Sequence, residues 1–334
     1  MLRVCFPFKP KISIGGTRTF AEQFTRGLRS RGITVISDPN QPYDVFFTIT
    51  GNNITDAIQA KKQRIPIIQR LDGVYYYSLH GVPYFLLNAK MKMIHNWLAD
   101  VVIYQSKYSK FCCERFLGKS RAKHFSVIYN GVDCLQFSPA EAHEVPQEHK
   151  KILFTASVFR RKDMIEPIIK ALDILWERRK DFIFLVAGNF LSEAKKSFLD
   201  LQRPYTKFIG PVTRSELPNH LRSSHVFLFS SINPPCPNSV LESMSSGVPI
   251  CGIAMGAMPE LVEHGRDGLL VPHHHDNFWH LHPIDIKTFA SNIEYMMNHH
   301  KKMGNHARNH VEREFSFNRM LDQYIEVLTS AARV

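Results

Sequence analysis

The sequence predicts an α/β protein built from two doubly wound halves, each a parallel sheet with helices on both faces. Three observations predict it. Short β-prone apolar runs alternate with segments whose apolar residues recur at helical spacing. The chain has 334 residues, more than the roughly 250–300 at which single cores stop growing. A polar stretch, residues 138–150, carries Pro139, Pro146 and several charges between two such alternations, and reads as a linker.

In the first half, residues 1–137, Leu2 to Phe6 opens a strand, followed by Ser13-Ile14-Gly15-Gly16 and then a helix from Thr17 to Ser30. Phe20, Phe24 and Leu28 give that helix its apolar face. Gly15-Gly16 sits between strand and helix, where backbone can approach a ligand closely. Further strands are expected at Val45–Thr48, Pro66–Gln69, Val101–Tyr104 and Phe125–Ile128. Helices are expected between them at Ile54–Lys62, Asn88–Ala99 and Ser106–Phe116.

The second half, residues 151–315, repeats the alternation. Strands are expected at Lys151–Phe154, Phe182–Ala187, Lys207–Ile209, Val226–Phe229, Pro249–Gly252 and Gly268–Val271. Asp163 with Glu166, and Thr213 with Glu216, read as capping boxes at helix starts. The tail from Ile284 reads as three helices, the last of which, within residues 316–334, is expected to fold back towards the first half.

Asn233 to Gly247, N-P-P-C-P-N-S-V-L-E-S-M-S-S-G, organises the second half. It crosses from a strand, through a turn stiffened by Pro234, Pro235 and Pro237, into a helix that Asn238 or Ser239 is expected to cap. A helix N-terminus at the carboxyl edge of a parallel sheet offers backbone donors and a positive dipole end to an anion. Glu242, one turn in, has two readings: an acceptor for a vicinal diol such as a ribose, or a complement to the helix dipole.

Net charge is +12 with pI near 9.4. Residues 1–149 hold 19 Lys+Arg against 11 Asp+Glu, so the first half is the more basic and suggests an anionic partner. No zinc-finger spacing, RNP-type run or basic heptad supports nucleic acid. Six scattered cysteines form no C-x-x-C pair and fit reduced thiols in the cytoplasm. No apolar run approaches the ~20 residues that span a bilayer. Met1 to Phe8, broken by Pro7, does not read as a signal peptide. His273-His274-His275-Asp276 reads as a polar loop, because adjacent histidines do not readily share one ion. Asn88 to Leu98 sets Lys90 and Lys92 beside Met93, Ile94, Trp97 and Leu98; it reads as a helix packed on its sheet, or as one resting on an anionic membrane.

Four motifs, taken together, resemble retaining glycosyltransferases of family 4, which have the GT-B architecture: two Rossmann-like domains facing each other across a cleft. They are Gly15-Gly16 with Phe20, Leu28 and Gly32; Val127 to Asp133 with Phe137 and Pro139; Pro235 to Glu242 with Ser246 to Pro249; and Gly256 to Glu260 with Asp267 to Val271. The resemblance implies a nucleotide-diphosphate sugar as donor, transfer with retention to a glycan or lipid-linked acceptor, and no metal or other cofactor. It puts Arg161 and Lys162 on the diphosphate, with the backbone of Asn238, Ser239 and Val240. It puts Glu242 on the ribose, Pro211 and Val212 beside the nucleobase, and Gly16 near the diphosphate from the other domain. Phosphate suits a bidentate guanidinium and a point-charge ammonium.

Two departures stand out. The first acid of the family's paired motif falls at Pro234, so its sugar-facing role would pass to Asn233 or be lost. The family's histidine after the fourth strand is absent, and Asp72 stands at the strand end as the candidate to orient the acceptor or act as its base. An Asx turn at Asp72-Gly73 is the alternative; His80 is a loop residue. The expected protein is a cytoplasmic enzyme, or one peripheral at the inner face of a membrane. The rivals are a non-catalytic nucleotide-sugar binder and another GT-B enzyme, such as an epimerase or a glycogen-type synthase.

Overall fold

The computed structural model describes residues 1–8, 16–139, 151–191 and 199–333. The chain divides into two compact units. One comprises Met1–Gly131, Asn277–Leu281 and Asn318–Val334; the other comprises Val132–Asp276 and His282–Phe317. Most of the linker expected at 138–150 lies outside the described residues, as does Gly15.

Among the described residues the first unit holds six parallel strands: β1 (Arg3–Cys5), β2 (Thr34–Ile36), β3 (Val45–Ile49), β4 (Ile67–Leu71), β5 (Val101–Tyr104) and β6 (His124–Val127). Their order is β2-β1-β3-β4-β5-β6. β3, β4 and β5 are buried along their whole length, as expected of central strands covered on both faces. Helix α1 (Gly16–Ser30) lays Phe20, Phe24 and Leu28 on the sheet, as their spacing predicts. Phe24 meets Phe47 of β3 at 5.0 Å and Tyr324 at 5.0 Å between ring centroids. α2 (Ile54–Lys62), the one-turn α3 (Tyr77–His80), α4 (Tyr84–Met93) and α5 (Lys107–Leu117) complete the layers. The helix expected from Asn88 starts four residues earlier, at Tyr84, and its last turn, Ile94–Leu98, widens to π geometry.

The second unit holds β7 (Lys151–Phe159), β8 (Phe182–Phe190), β9 (Thr206–Gly210), β10 (Val226–Phe229), β11 (Ile250–Ile253) and β12 (Gly268–Val271). Again all pairings are parallel, in the order β12-β11-β10-β7-β8-β9. Helices α6 (Glu166–Arg178), α7 (Leu217–Arg222), α8 (Asn238–Ser245), α9 (Met258–Leu261) and α10 (Ile286–Glu314) accompany them. The core runs from Leu153, Phe184 and Val226 on the strands to Ile168 and Leu172 on α6 and Phe289, Ile293 and Met296 on α10.

Several local expectations need correction. The tail forms two helices, α10 of 29 residues and α11 (Phe317–Ala331), because no breaker interrupts Ile286 to Glu314. The Thr213–Glu216 capping box forms reciprocally: Thr213 N–H donates to Glu216 at 3.1 Å, and Glu216 N–H to Thr213 Oγ1 at 3.3 Å. The Asp163–Glu166 box does not, since the Asp163 carboxylate accepts from Arg161 at 2.8 Å and α6 starts after Ile165. Neither Asn238 nor Ser239 caps α8. Its N-cap is Pro237, which has no polar side chain, and both residues lie inside the first turn.

Candidate functional site

In the second sheet the chain winds one way from β7 to β8 and β9, and the other way to β10, β11 and β12. The reversal lies between β7 and β10. A doubly wound sheet opens a crevice at such a point, outside the carboxyl ends of its strands, and ligands bind there. The segments leaving those two strands are Arg160-Arg161-Lys162 after β7 and Ser230 to Pro237 after β10. Ser230 Oγ ties them together, donating to the carbonyl of Met164 at 2.7 Å.

Of the three cations, Lys162 and Arg160 are exposed and have no ion pair among the described residues. Arg161 is different. Its Nε and Nη2 both engage Asp163, at 3.0 and 2.8 Å. That fork uses the bidentate face expected to meet phosphate, which leaves Lys162 and Arg160 as the cations without a carboxylate.

The loop from β10 to α8 is tightly built. Asn233 adopts φ +47°, a left-handed conformation that asparagine tolerates better than most residues. Its N–H meets Met255 Sδ at 3.2 Å. Pro234 is buried, and its carbonyl accepts from Ala257 N–H at 2.8 Å. A Cβ on Gly256 (φ +64°) would lie 2.5 Å from that carbonyl oxygen, so only glycine lets the two loops meet. The position of the missing acid is therefore a packing position. Beside it, the side chain of Asn233 is buried at 5% exposure, and neither its Oδ1 nor its Nδ2 has a hydrogen-bond partner among the described residues. Orphaned amide atoms at the mouth of a strand-to-helix turn are the arrangement a polar ligand would complete.

Asn238 and Ser239 are half-buried at the start of α8. The Val240 side chain is wholly buried, and its N–H donates to the Pro237 carbonyl at 3.2 Å.

Glu242 is buried at 5% exposure, and Arg214 Nη1 donates to its Oε1 at 2.7 Å. Burial pushes the carboxyl above its ordinary range, and the Arg214 charge and hydrogen bond offset part of that rise. Oε2 has no hydrogen bond among the described residues, so one oxygen remains for a diol. Arg214 lies 5.1 Å from the centroid of the Phe137 ring, and its carbonyl accepts from Gln136 Nε2 at 3.2 Å. Sequence reasoning missed Arg214. It lies 28 residues from Glu242, and no motif joins them; the signal was a cation inside the Thr213–Glu216 capping box. Pro211 is exposed and Val212 half-buried, both just after β9.

The first unit brings a second polar group together. Asp72 follows β4. Its Oδ2 accepts from Thr17 Oγ1 at 2.7 Å; its Oδ1 accepts from Gln105 Nε2 at 2.8 Å and also from Arg70 Nη1. Arg70 is 1% exposed; it also donates to Asn130 Oδ1 at 2.9 Å and to Tyr324 OH at 3.0 Å, and lies 3.6 Å from the centroid of the Phe20 ring. Asn130 closes the ring by donating to Gln105 Oε1 at 3.2 Å. Thr17, Gln105 and the buried guanidinium of Arg70 are three donors that hold the Asp72 carboxylate in place. The Asx turn is not the reading its contacts favour. A carboxylate has about four acceptor sites, so Asp72 retains capacity for one more hydroxyl. Gly16 begins α1, one residue before Thr17, and is exposed. His80 anchors a loop through Tyr76 N–H, 3.2 Å from its Nδ1.

Among the described residues no three His, Cys, Asp or Glu side chains gather as a metal cluster. The His275 ring stacks on His282 at 4.1 Å. No helix among them is long and apolar enough to cross a membrane.

Residues 149–298 match the family model described as Glycosyl transferases group 1. The chain is 27% identical over 162 residues to a D-inositol 3-phosphate glycosyltransferase of Pseudarthrobacter chlorophenolicus, covering 45% of this chain and 38% of that protein. It is 24% identical over 226 residues to UDP-Gal:alpha-D-GlcNAc-diphosphoundecaprenol alpha-1,3-galactosyltransferase of Escherichia coli, covering 61% of this chain and 58% of that one. The matched regions thus span less than two thirds of both relatives. Among solved structures, Anabaena Alr3699/HepE in complex with UDP-glucose superposes with a TM-score of 0.79 at 17% identity, over 99% of this chain and 100% of that one. At that identity the likeness establishes the fold: two parallel-sheet Rossmann-like units of GT-B type.

Proposed function

We propose that this protein is a glycosyltransferase that moves a sugar from a nucleotide-diphosphate sugar to a glycan or lipid-linked acceptor. In this reading it acts with retention at the anomeric carbon and without a metal. One observation carries it. At the switch point of the second sheet, an exposed Lys162 with no ion pair among the described residues, the uncapped start of α8, a half-engaged Glu242 and the orphaned amide of Asn233 lie on the segments that leave the carboxyl ends of the strands or on the helix that follows. The family match over this unit and the UDP-glucose complex of a GT-B neighbour support the same reading.

Departure of a nucleoside diphosphate concentrates negative charge on its oxygens. Lys162 and the first-turn amides at Asn238 and Ser239 would stabilise that charge, and fixed donors aimed at developing charge are usually the strongest aid a site gives to such a step. Glu242 Oε2 would accept from the ribose, while Arg214 holds Oε1 and opposes the rise that burial imposes on the carboxyl. Asn233 would take the sugar hydroxyls that an acid at position 234 would otherwise bind. Asp72, fixed by its three donors, would orient the acceptor hydroxyl. Cytoplasmic placement belongs to the same reading.

Pro234 favours a second reading, a nucleotide-sugar binder without turnover. A panel of UDP-, GDP- and ADP-sugars, incubated with the protein in EDTA and assayed for nucleoside diphosphate release, separates the two. Release from one donor supports the transferase. Saturable binding with no release supports the binder and overturns the first reading.

A further inference from the structure

We propose that helix α4, with the loop before it and the turn after it, is a docking surface for an anionic lipid bilayer. The segment from Gly73 to Ala99 contains no Asp or Glu, and Lys90 and Lys92 are its only Lys or Arg. Its polarity is inverted. Asn88 is 3% exposed and clamps the Tyr75 backbone, accepting from its N–H at 3.0 Å and donating to its carbonyl at 2.8 Å. His95 is fully buried and paired with Tyr104 OH at 2.9 Å. The large apolar side chains face outward: Val82 is 65% exposed, Phe85 55%, Leu86 64% and Trp97 55%.

At about 100° per residue, Phe85, Ala89, Met93 and Leu86 fall within one outward arc of the helix. Lys92 flanks that arc on one side and Lys90 on the other. Both lysines are exposed and without an ion pair among the described residues. Met91 and Ile94 hold the opposite side in the core. The patch continues through Tyr84, 5.9 Å from the Trp279 ring, to Tyr77, 6.5 Å from it. An apolar stripe edged by lysines and bordered by Trp and Tyr matches an interfacial helix. The stripe enters the acyl boundary, the lysine stems extend up to the headgroups, and the aromatic rings sit at the interface.

Charge decides between a bilayer and a second copy of this chain. A two-fold contact through α4 would set the same lysines against each other, with no acid in the segment to pair them. Anionic headgroups supply the missing charge, at about a fivefold gain in partitioning per lysine near the surface.

Co-sedimentation of the full chain tests this, with vesicles of pure phosphatidylcholine and of phosphatidylcholine with phosphatidylglycerol in equal parts. The expected result is binding to the anionic vesicles, with at most weak binding to the zwitterionic ones. The exposed-face variant Phe85→Ser/Leu86→Ser, checked for an unchanged melting temperature, should lose at least about tenfold in partitioning. Lys90→Glu/Lys92→Glu should lose the preference for anionic lipid. Wild-type binding that neither pair alters overturns the proposal. So does a wild-type dimer in sedimentation equilibrium that becomes monomeric in Phe85→Ser/Leu86→Ser while no form binds vesicles.

Discussion

Replacing Asn233 by glycine separates a structural from a functional asparagine. Glycine keeps the φ of +47° without strain and removes the amide whose two polar atoms have no partner among the described residues. A buried polar group left unsatisfied costs about 1–3 kcal/mol, which the substitution relieves. The added freedom of glycine in the unfolded chain takes back about 0.4–1 kcal/mol. The net is between neutral and about 2.6 kcal/mol in favour of the variant. For a body of 150–250 residues each kcal/mol moves the melting temperature by about 2–4 °C. The ligand-free variant should therefore melt between the wild-type temperature and about 10 °C above it. If the amide binds the donor sugar, kcat/KM for that donor should fall roughly ten- to hundredfold, one or two hydrogen bonds being lost in the transition state. Differential scanning fluorimetry and initial rates measure both. A melting temperature lowered by more than about 5 °C with donor kinetics intact would refute the reasoning and make Asn233 a structural residue.

Four further outcomes are expected. Lys162→Ala should leave stability unchanged, since the lysine is exposed and has no ion pair among the described residues, and should weaken nucleoside diphosphate affinity about tenfold by calorimetry. Arg214→Ala leaves a buried carboxylate without its partner; it should destabilise more than Arg214→Ala/Glu242→Gln does, as chemical denaturation of both would reveal. Gly304→Ala, a change that ordinarily strengthens a helix, should lower the melting temperature, because its Cβ would lie 2.0 Å from the Gly247 carbonyl oxygen. His225 is depressed to about 4, chiefly by burial and next by His300. The unfolded chain binds that proton near 6.5 and the folded chain only near 4, so stability is complete above 6.5 and is lost as pH falls towards 4. His225→Asn, whose amide oxygen can still accept from Ile152 N–H, should flatten that acid slope; an unchanged slope assigns it elsewhere.

The alternation of strands and helices was legible because burial writes itself into local pattern. Val45–Ile49 and Val101–Tyr104 are rich in apolar residues and buried throughout. The loop glycines and the start of α8 were legible for a related reason: backbone conformation restricts residue type within a few positions. Pairings distant in sequence left no such trace. Arg214 reaches Glu242 across 28 residues, and Arg70 reaches Tyr324 across 254, so neither partner was visible from either end. The pairing of Arg161 with Asp163, two residues on, was not legible, because the Asp163 side chain could equally have capped a helix. The bond from Val240 N–H to the Pro237 carbonyl was not legible either, because it depends on the turn that Pro237 makes. The inverted face of α4 was half legible: its lysines and Trp97 were noted, but which side faced outward depended on Asn88 and His95 finding buried partners.

The central claim, transfer of a sugar with retention by protein groups alone, is tested most directly by following the anomeric proton. The protein would be incubated in EDTA with the nucleotide sugar it turns over, and the first product would be read by NMR before mutarotation. The expected result is nucleoside diphosphate release and a product with the donor's anomeric configuration. A product of opposite configuration, or a donor that stays intact while bound, would contradict the claim.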